Sequence, residues 1–356
     1  MNEEIESSLS AESGGTPGID EKSLTDWLCQ QFGDLVAPLD FTRVGEGQSA
    51  LSFRIEDQAG RRLVLRRPPI GRILESSHDM VREHHILSSL QDATHKTPRI
   101  LGLCEDLSVT GAPFYLMECV DGLTLNRLEV ARGLETRARA TTGRSLVTSL
   151  VELQAVDIDG CGLGDLRRSA SFIERQVRRW TRQWNAQNSR ELALIEELGQ
   201  SLAAQIPQEL ETVLVHGDYG LHNVLVGSDG EVRAVLDWEL CSVGDPLADV
   251  SQMIVYWTES GAPAREPNSV FTEPVTELEG FMTANDLASA YAKASGRDLS
   301  ELGYWTAFAY WKTAIIVEGV YSRWLENPTN GMGAENVAGA VPRLAELAHD
   351  ALRNGE

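Results

Sequence analysis

Basic residues are scarce in this 356-residue chain: 31 Lys and Arg stand against 53 Asp and Glu, a formal net charge of -22. A surface that acidic excludes a general nucleic-acid binder, because phosphate backbones are held by basic patches. It is compatible with a cationic ligand and equally with a solvated surface that keeps the protein dissolved. No apolar run reaches the length of a membrane span, and the N-terminus lacks a basic region followed by an apolar one, so neither a membrane partner nor a secretory leader is expected. The five cysteines (Cys29, Cys104, Cys119, Cys161, Cys241) contain no CxxC pair. They read as reduced, packed thiols of a cytoplasmic protein rather than as disulfides or a zinc site. No repeat of solenoid period is present.

What is present is a soluble globular composition, 42% hydrophobic and 24% charged, long enough for two lobes. Residues 1–20, rich in Glu, Ser and Gly, are expected to form a flexible acidic tail. A short helix through Leu24, Trp27, Leu28 and Phe32 follows, with Ser23 or Thr25 as its start. From Phe41 to Cys119 the signal is mostly β: Leu51–Ile55 and Arg62–Arg66 alternate around a turn at Asp57–Gly60, and Phe114–Met117 is a further apolar strand. A helix over Ser76–Leu90 interrupts them. From Leu123 onward the pattern is helical, over 135–156, 171–204, Val250–Trp257, Ala284–Ser295 and Tyr304–Leu325. Gly261–Pro274 is expected to be a surface loop.

The helical part is broken by Val213-Leu214-Val215-His216-Gly217-Asp218 … Asn223-Val224-Leu225-Val226 and then Val232–Leu236 with Asp237. Two apolar runs flanking a polar turn gather Asp218, Asn223 and Asp237, the oxygen ligands a hard cation requires. The spacing resembles the protein-kinase catalytic loop, where four residues between an Asp and an Asn let the loop turn so that the base faces the acceptor hydroxyl and the amide oxygen faces a metal.

His216-Gly217-Asp218 to Asn223, then Leu236-Asp237-Trp238-Glu239 and Gly244-Asp245-Pro246-Leu247-Ala248-Asp249, strongly resembles the aminoglycoside phosphotransferase and choline kinase group of kinase-like enzymes. Val64–Pro69, Phe114–Glu118, Arg175-Gln176 and Trp180 look like the branch found fused to some acyl-CoA dehydrogenases. That likeness runs from about Phe41 to Trp324, and no dehydrogenase portion is expected within these 356 residues. The branch leads one to expect a histidine where this chain has Gln154.

The resemblance implies an α+β, two-lobed protein-kinase-like fold: a β-rich nucleotide-binding lobe over 21–120 and a larger helical lobe over 121–356. It implies Asp218 as catalytic base, Asn223 and Asp237 as Mg²⁺ ligands, and ATP, with GTP as the alternative donor. Gly45, Gly47 and Ser49 lie in the phosphate-covering loop, where Ala50 replaces a third glycine. The usual phosphate-binding lysine is missing; Arg66 stands nearest, with Arg67 the alternative by register, and Glu83 would be its ion-pair partner. Backbone groups of Glu118 and Val120 would hold the base. His216 and His222 are read as a structural hydrogen-bonder and loop packing, Asp245 as a helix cap, and Asp249 as a brace for the catalytic loop.

The function implied is transfer of a nucleotide γ-phosphate to a hydroxyl of a small molecule. A kinase-like nucleotide-binding module without turnover is the alternative, favoured by Arg66 in place of lysine, and a metallophosphoesterase ranks behind it because too few histidines are present. The acceptor is left open. The acidic residues Glu266, Glu273, Glu277 and Glu279 suit an aminoglycoside pocket or a solvated loop, whereas the fused-dehydrogenase likeness points to hydroxyacyl metabolites. The oligomeric state is likewise open.

Overall fold

The computed structural model describes residues 16–45, 50–70, 79–209, 211–257, 273–326 and 334–354. They divide into two compact units, the first made of the chain up to residue 91 with 98–119, the second of 92–97 with 120 onward. No helix among the described residues is long and apolar enough to cross a membrane.

The first unit is a five-stranded antiparallel sheet: β1 (Asp40–Val44), β2 (Leu51–Glu56), β3 (Arg62–Arg67), β4 (Ile100–Cys104) and β5 (Phe114–Glu118), in spatial order β1-β2-β3-β5-β4. Period-two alternation sets its faces. Leu51, Phe53 and Ile55 of β2 and Leu63 and Leu65 of β3 enter a core shared with Leu24 and Leu28 of α1 (Glu21–Gln31). Asp20, not Ser23 or Thr25, caps α1, its carboxylate accepting the Ser23 N–H. Asp20 can serve because the first turn leaves backbone donors without helical partners. Residues 16–20 of the expected tail are also held: Ile19 packs on this core and Thr16 bonds Glu21; residues 1–15 lie outside the described set. On α2 (Met80–Leu90), capped by Asp79, Met80, Glu83, Ile86, Leu87 and Leu90 are buried. Residues 76–78 of that expected helix lie outside the described set. A four-residue helix, α3 (Leu107–Thr110), links β4 to β5.

The second unit holds α4 (Leu128–Arg132), α5 (Thr136–Gln154), α6 (Phe172–Gln187), α7 (Ala193–Ala204), α8 (Leu247–Val255), α9 (Ala284–Ser295), α10 (Leu302–Glu326) and α11 (Ala340–Asn354). The helical stretch expected over 171–204 is two helices. At the break Ser189 and Arg190 both bond the buried Glu318 carboxylate, which draws the backbone away from helical geometry. Helix α10 is buried on nearly all sides, from Tyr304 and Trp305 to Val317 and Glu318, as an internal helix must be.

Four short strands in this unit carry the polar turn singled out above. Strand β6 (Val213–Val215) pairs antiparallel with β9 (Ser242–Gly244), and β7 (Val224–Val226) with β8 (Val232–Val235). The first pairing spans the second, so the residues after β6 and those after β8 are brought to one place.

Candidate active site

The loop between β6 and β7 is fixed from its backbone outward. Asp249, buried on α8, accepts the His216 N–H at 2.7 Å and the Gly217 N–H at 2.8 Å with its two carboxylate oxygens. His216, itself buried, donates from Nε2 to the Leu236 carbonyl at 2.8 Å and accepts the Asp218 N–H on Nδ1 at 3.2 Å. That pattern requires a neutral ring protonated on Nε2; His216 is a brace, not a base. Gly217 has φ +88°, and a Cβ there would stand 2.7 Å from the Leu240 carbonyl oxygen. Glycine is required for this turn on both counts.

Asp218 emerges from this frame with its side chain 27% exposed. Its Oδ2 accepts from Asn223 Nδ2 at 3.0 Å, and its carbonyl oxygen accepts from the same amide at 3.0 Å. His222 Nε2 lies 3.4 Å from Oδ2, and its ring stands edge-on to Tyr256 with centroids 4.3 Å apart. His222 therefore does more than fill space. Burial pulls the Asp218 carboxyl upward, but the His222 hydrogen bond and the positive charge of His222 and Lys312 outweigh it and hold the group well below the usual carboxylate range. Burial and the facing Asp218 charge drive the Tyr256 hydroxyl the other way, well above a free tyrosine.

The Leu236 N–H donates to the Asn223 carbonyl at 2.8 Å, which sets Asp237 one residue beyond the Asp218–Asn223 pair. Asp237 adopts φ 64°, ψ 67°, the one non-glycine positive φ among the described residues. Such backbone costs about 1–3 kcal/mol and persists where the surroundings impose it, commonly at functional sites. Asn223 spends its amide nitrogen on Asp218, which turns its oxygen to the other side of the amide.

No group of three or more His, Cys, Asp or Glu side chains suited to a metal occurs among the described residues. One amide oxygen and one carboxylate form a sparse donor set. That is what Mg²⁺ uses when substrate phosphates and water complete its octahedron. The residues fit a metal that arrives with a phosphate ligand, not a resident one.

In the first unit Arg66 and Glu83 pair, with Arg66 Nε 3.2 Å from Oε1 and 3.3 Å from Oε2 of a carboxylate that is 1% exposed. Arg67, one residue on, points the opposite way and donates to the carbonyls of Gly18 and Thr110. Gly45 closes β1 at φ +78°; Gly47 and Ser49 lie outside the described residues, as does Glu266. The Glu118 N–H is taken by the Arg99 carbonyl, and its side chain accepts the Arg99 N–H. Val120 lies at the start of the second unit's main segment. Glu273, Glu277 and Glu279 are exposed.

One participant escapes sequence reasoning. Lys312, from the middle of α10, donates to the Gly217 carbonyl at 2.6 Å and to Gln252 Oε1 at 3.0 Å. Gln154 supports the Gly244-Asp245-Pro246 turn through its Nε2 to the Pro246 carbonyl at 2.9 Å, while its oxygen accepts from Tyr291 and Arg297. Asp245 accepts the Leu247 N–H at 2.8 Å, as the capping expectation has it.

With this geometry in view, the profile of the phosphotransferase enzyme family matches residues 40–272. The mouse acyl-CoA dehydrogenase family member 10 is 33% identical over 339 residues, 94% of this chain and 31% of that protein. The human acyl-CoA dehydrogenase family member 11 is 30% identical over 337 residues, 92% of this chain and 42% of its length. The chain thus spans less than half of these curated relatives. A Ralstonia eutropha JMP134 protein named for the aminoglycoside phosphotransferases superposes with a TM-score of 0.77 at 25% identity, covering 94% of this chain and 99% of that one. A choline/ethanolamine kinase family protein from Mesorhizobium loti shares the fold at TM-score 0.56 and 17% identity, over 93% and 99% of the two chains. The fold is that of the kinase-like phosphotransferases, and the chain belongs to the phosphotransferase enzyme family.

Proposed function

We propose that this protein transfers the γ-phosphoryl group of a nucleoside triphosphate, ATP or alternatively GTP, to a hydroxyl of a small molecule. The observation that carries this reading is the state of Asp218: an ionised carboxylate, partly exposed, on a loop whose backbone is clamped on both sides. A base must be deprotonated before it can accept a hydroxyl proton, and its aim must be fixed before reaction. Asp218 meets both conditions, orienting the acceptor hydroxyl and taking its proton as the phosphoryl group moves.

Asn223 and Asp237 are the residues that would hold Mg²⁺, which when bound offsets phosphate charge. Asn223 also keeps Asp218 in place by donating to it. Arg66, steadied by Glu83, is assigned to the nucleotide phosphates; its fixed charge substitutes for the lysine common in kinases. Gly45, Gly47 and Ser49 are assigned to the loop over those phosphates, and Glu118 and Val120 to the base. For the acceptor we favour a hydroxyacyl compound over an aminoglycoside, because the curated relatives are named as acyl-CoA dehydrogenase family members.

The test is a screen of hydroxyacyl compounds and aminoglycosides with Mg-ATP and Mg-GTP, using Asp218→Asn as the blank. Loss of a general base should lower turnover by about 10²–10⁴-fold, with nucleotide affinity nearly intact. An Asp218→Asn protein that phosphorylates at the native rate would refute the role. Nucleotide binding without transfer to any acceptor would identify a binding module instead.

A further inference from the structure

One charged group beside the loop has no part in that scheme. The chain has four lysines, Lys22, Lys96, Lys293 and Lys312, and the last is 6% exposed in the middle of a buried, mostly apolar helix. An ammonium is costly to bury unless oxygens meet its donors. Here the Gly217 carbonyl and Gln252 Oε1 do so, and the Trp180 ring lies beneath the nitrogen, 5.8 Å from its centroid.

The choice of carbonyl matters. Gly217 is the one residue between the His216 brace and the Asp218 carboxylate, and as a glycine at positive φ its backbone has no side chain of its own to limit rotation. Asp249 from α8 already holds its N–H. Lys312 from α10 holds its carbonyl, so both polar groups of this residue are gripped from different helices. Rotation of the Gly217–Asp218 peptide would have to break the shorter of the two Lys312 bonds.

We propose that Lys312 is a positioning residue for phosphoryl transfer, gripping the Gly217 carbonyl so that the Asp218 carboxylate keeps its aim at the acceptor hydroxyl. The proposal rests on Asp218 being the base. The charge on Lys312 serves the same end. Burial lowers its pKa and Arg179 acts the same way, while two nearby carboxylates, Asp218 and Asp249, favour the charged form. Removing the ammonium would take away a positive charge that both carboxylates feel. Beside the nitrogen is a cavity of about 30 Å³ lined by Gly217, Leu240, Gln252, Phe308, Trp180 and Lys312 among others, room for one or two waters. Shortening Lys312 enlarges that space enough to admit a small ammonium ion.

The experiment compares Lys312→Met, Lys312→Ala and Asp218→Asn with the wild type in two readouts. In Mg-nucleotide turnover, with the best acceptor from the screen or with water, Lys312→Met should lose on the order of 10- to 100-fold in kcat while the nucleotide KM stays put. Lys312→Ala should fall as far and regain part of its kcat with ethylammonium or propylammonium, not with propanol. In amide hydrogen exchange, residues 216–223 of Lys312→Met should exchange at least 10-fold faster, with the strands of the first unit unchanged. Native kcat in Lys312→Met, or unchanged exchange at 216–223, overturns the proposal. If wild type and Asp218→Asn show the same turnover, the transfer reading falls, and the exchange arm still judges the grip on Gly217. Should Lys312→Met not fold, Lys312→Gln, whose shorter neutral side chain removes the charge and draws the donor back from the Gly217 carbonyl, is judged by the same measurements.

Discussion

Single residues here separate folding from function in ways that mutation can expose. Arg66 and Glu83 form a buried ion pair in the first unit. Breaking such a pair by removing one partner costs about 3–5 kcal/mol, yet replacing both with apolar groups is often neutral. The double variant Arg66→Met/Glu83→Leu should therefore melt within a few degrees of wild type, whereas Glu83→Ala alone should melt much lower. If Arg66 contacts phosphate, the double variant loses nucleotide affinity by about 10- to 100-fold, the worth of one charge-assisted contact. Calorimetric titration decides: a stable double variant with native nucleotide affinity would make the pair purely architectural. Asp245 supplies a pH signature. Burial raises its carboxyl to about 6, with Glu209 and Glu211 adding to the effect and the Leu247 N–H opposing it. A folded-state value above the unfolded one means the native protein holds the proton more tightly. Stability attributable to Asp245 is thus greatest below about pH 4 and declines as pH rises to about 6. From the ordinary 3.8 to about 6 the loss is roughly 3 kcal/mol at 1.4 kcal/mol per tenfold change in proton affinity. Asp245→Asn, which keeps the oxygen that caps Leu247, should gain that much relative to wild type between pH 4 and 7 in urea unfolding. A constant difference across that range would sink this account.

At the scale of elements, short sequence distance decides what could be read in advance. Asp218, Asn223 and Asp237 fall within twenty residues, on a strand-loop-hairpin whose apolar runs announce it; β2 alternates cleanly, and β3 and α2 show a looser periodicity. Strand β4 was less visible, because Ile-Leu-Gly-Leu-Cys has no alternation and bends at an irregular register around Gly102. The break between α6 and α7 was invisible because its cause, Glu318, lies over a hundred residues downstream. Lys312 escaped for the same reason, although a lone lysine in Tyr-Trp-Lys-Thr-Ala-Ile-Ile is a signal: an internal apolar helix does not keep a cation without oxygens to meet it. The β6–β9 pairing makes the loop sensitive to its narrowest joint. Gly217→Ala forces a Cβ to 2.7 Å from the Leu240 carbonyl at a φ of +88°. It should destabilise the second unit by about 1–3 kcal/mol and abolish turnover, as a chemical unfolding curve and an activity assay run side by side would show. Retained turnover in that variant would mean the loop tolerates another backbone path.

Over the whole molecule, the acidic balance and the sparse donor set proposed for Mg²⁺ make a joint demand. A net charge of -22 raises the local concentration of cations around the protein, so Mg²⁺ would gather near it with or without a site. Specific binding must be told from that atmosphere. Asn223 and Asp237 offer two protein oxygens, too few to hold Mg²⁺ without phosphate ligands. Magnesium alone should therefore leave the melting temperature where a matched concentration of sodium leaves it. Nucleotide and magnesium together should raise it by several degrees, because a ligand at 100 times its Kd adds about 2.7 kcal/mol to the native state. Chelating the metal should remove most of that gain. Asp237→Asn should cancel the part that depends on magnesium while sparing the part due to nucleotide, since Arg66 does not rely on the metal. A melting temperature that responds to magnesium alone, and still does so in Asp237→Asn, would place the ion elsewhere on the acidic surface and remove Asp237 from the metal's ligands.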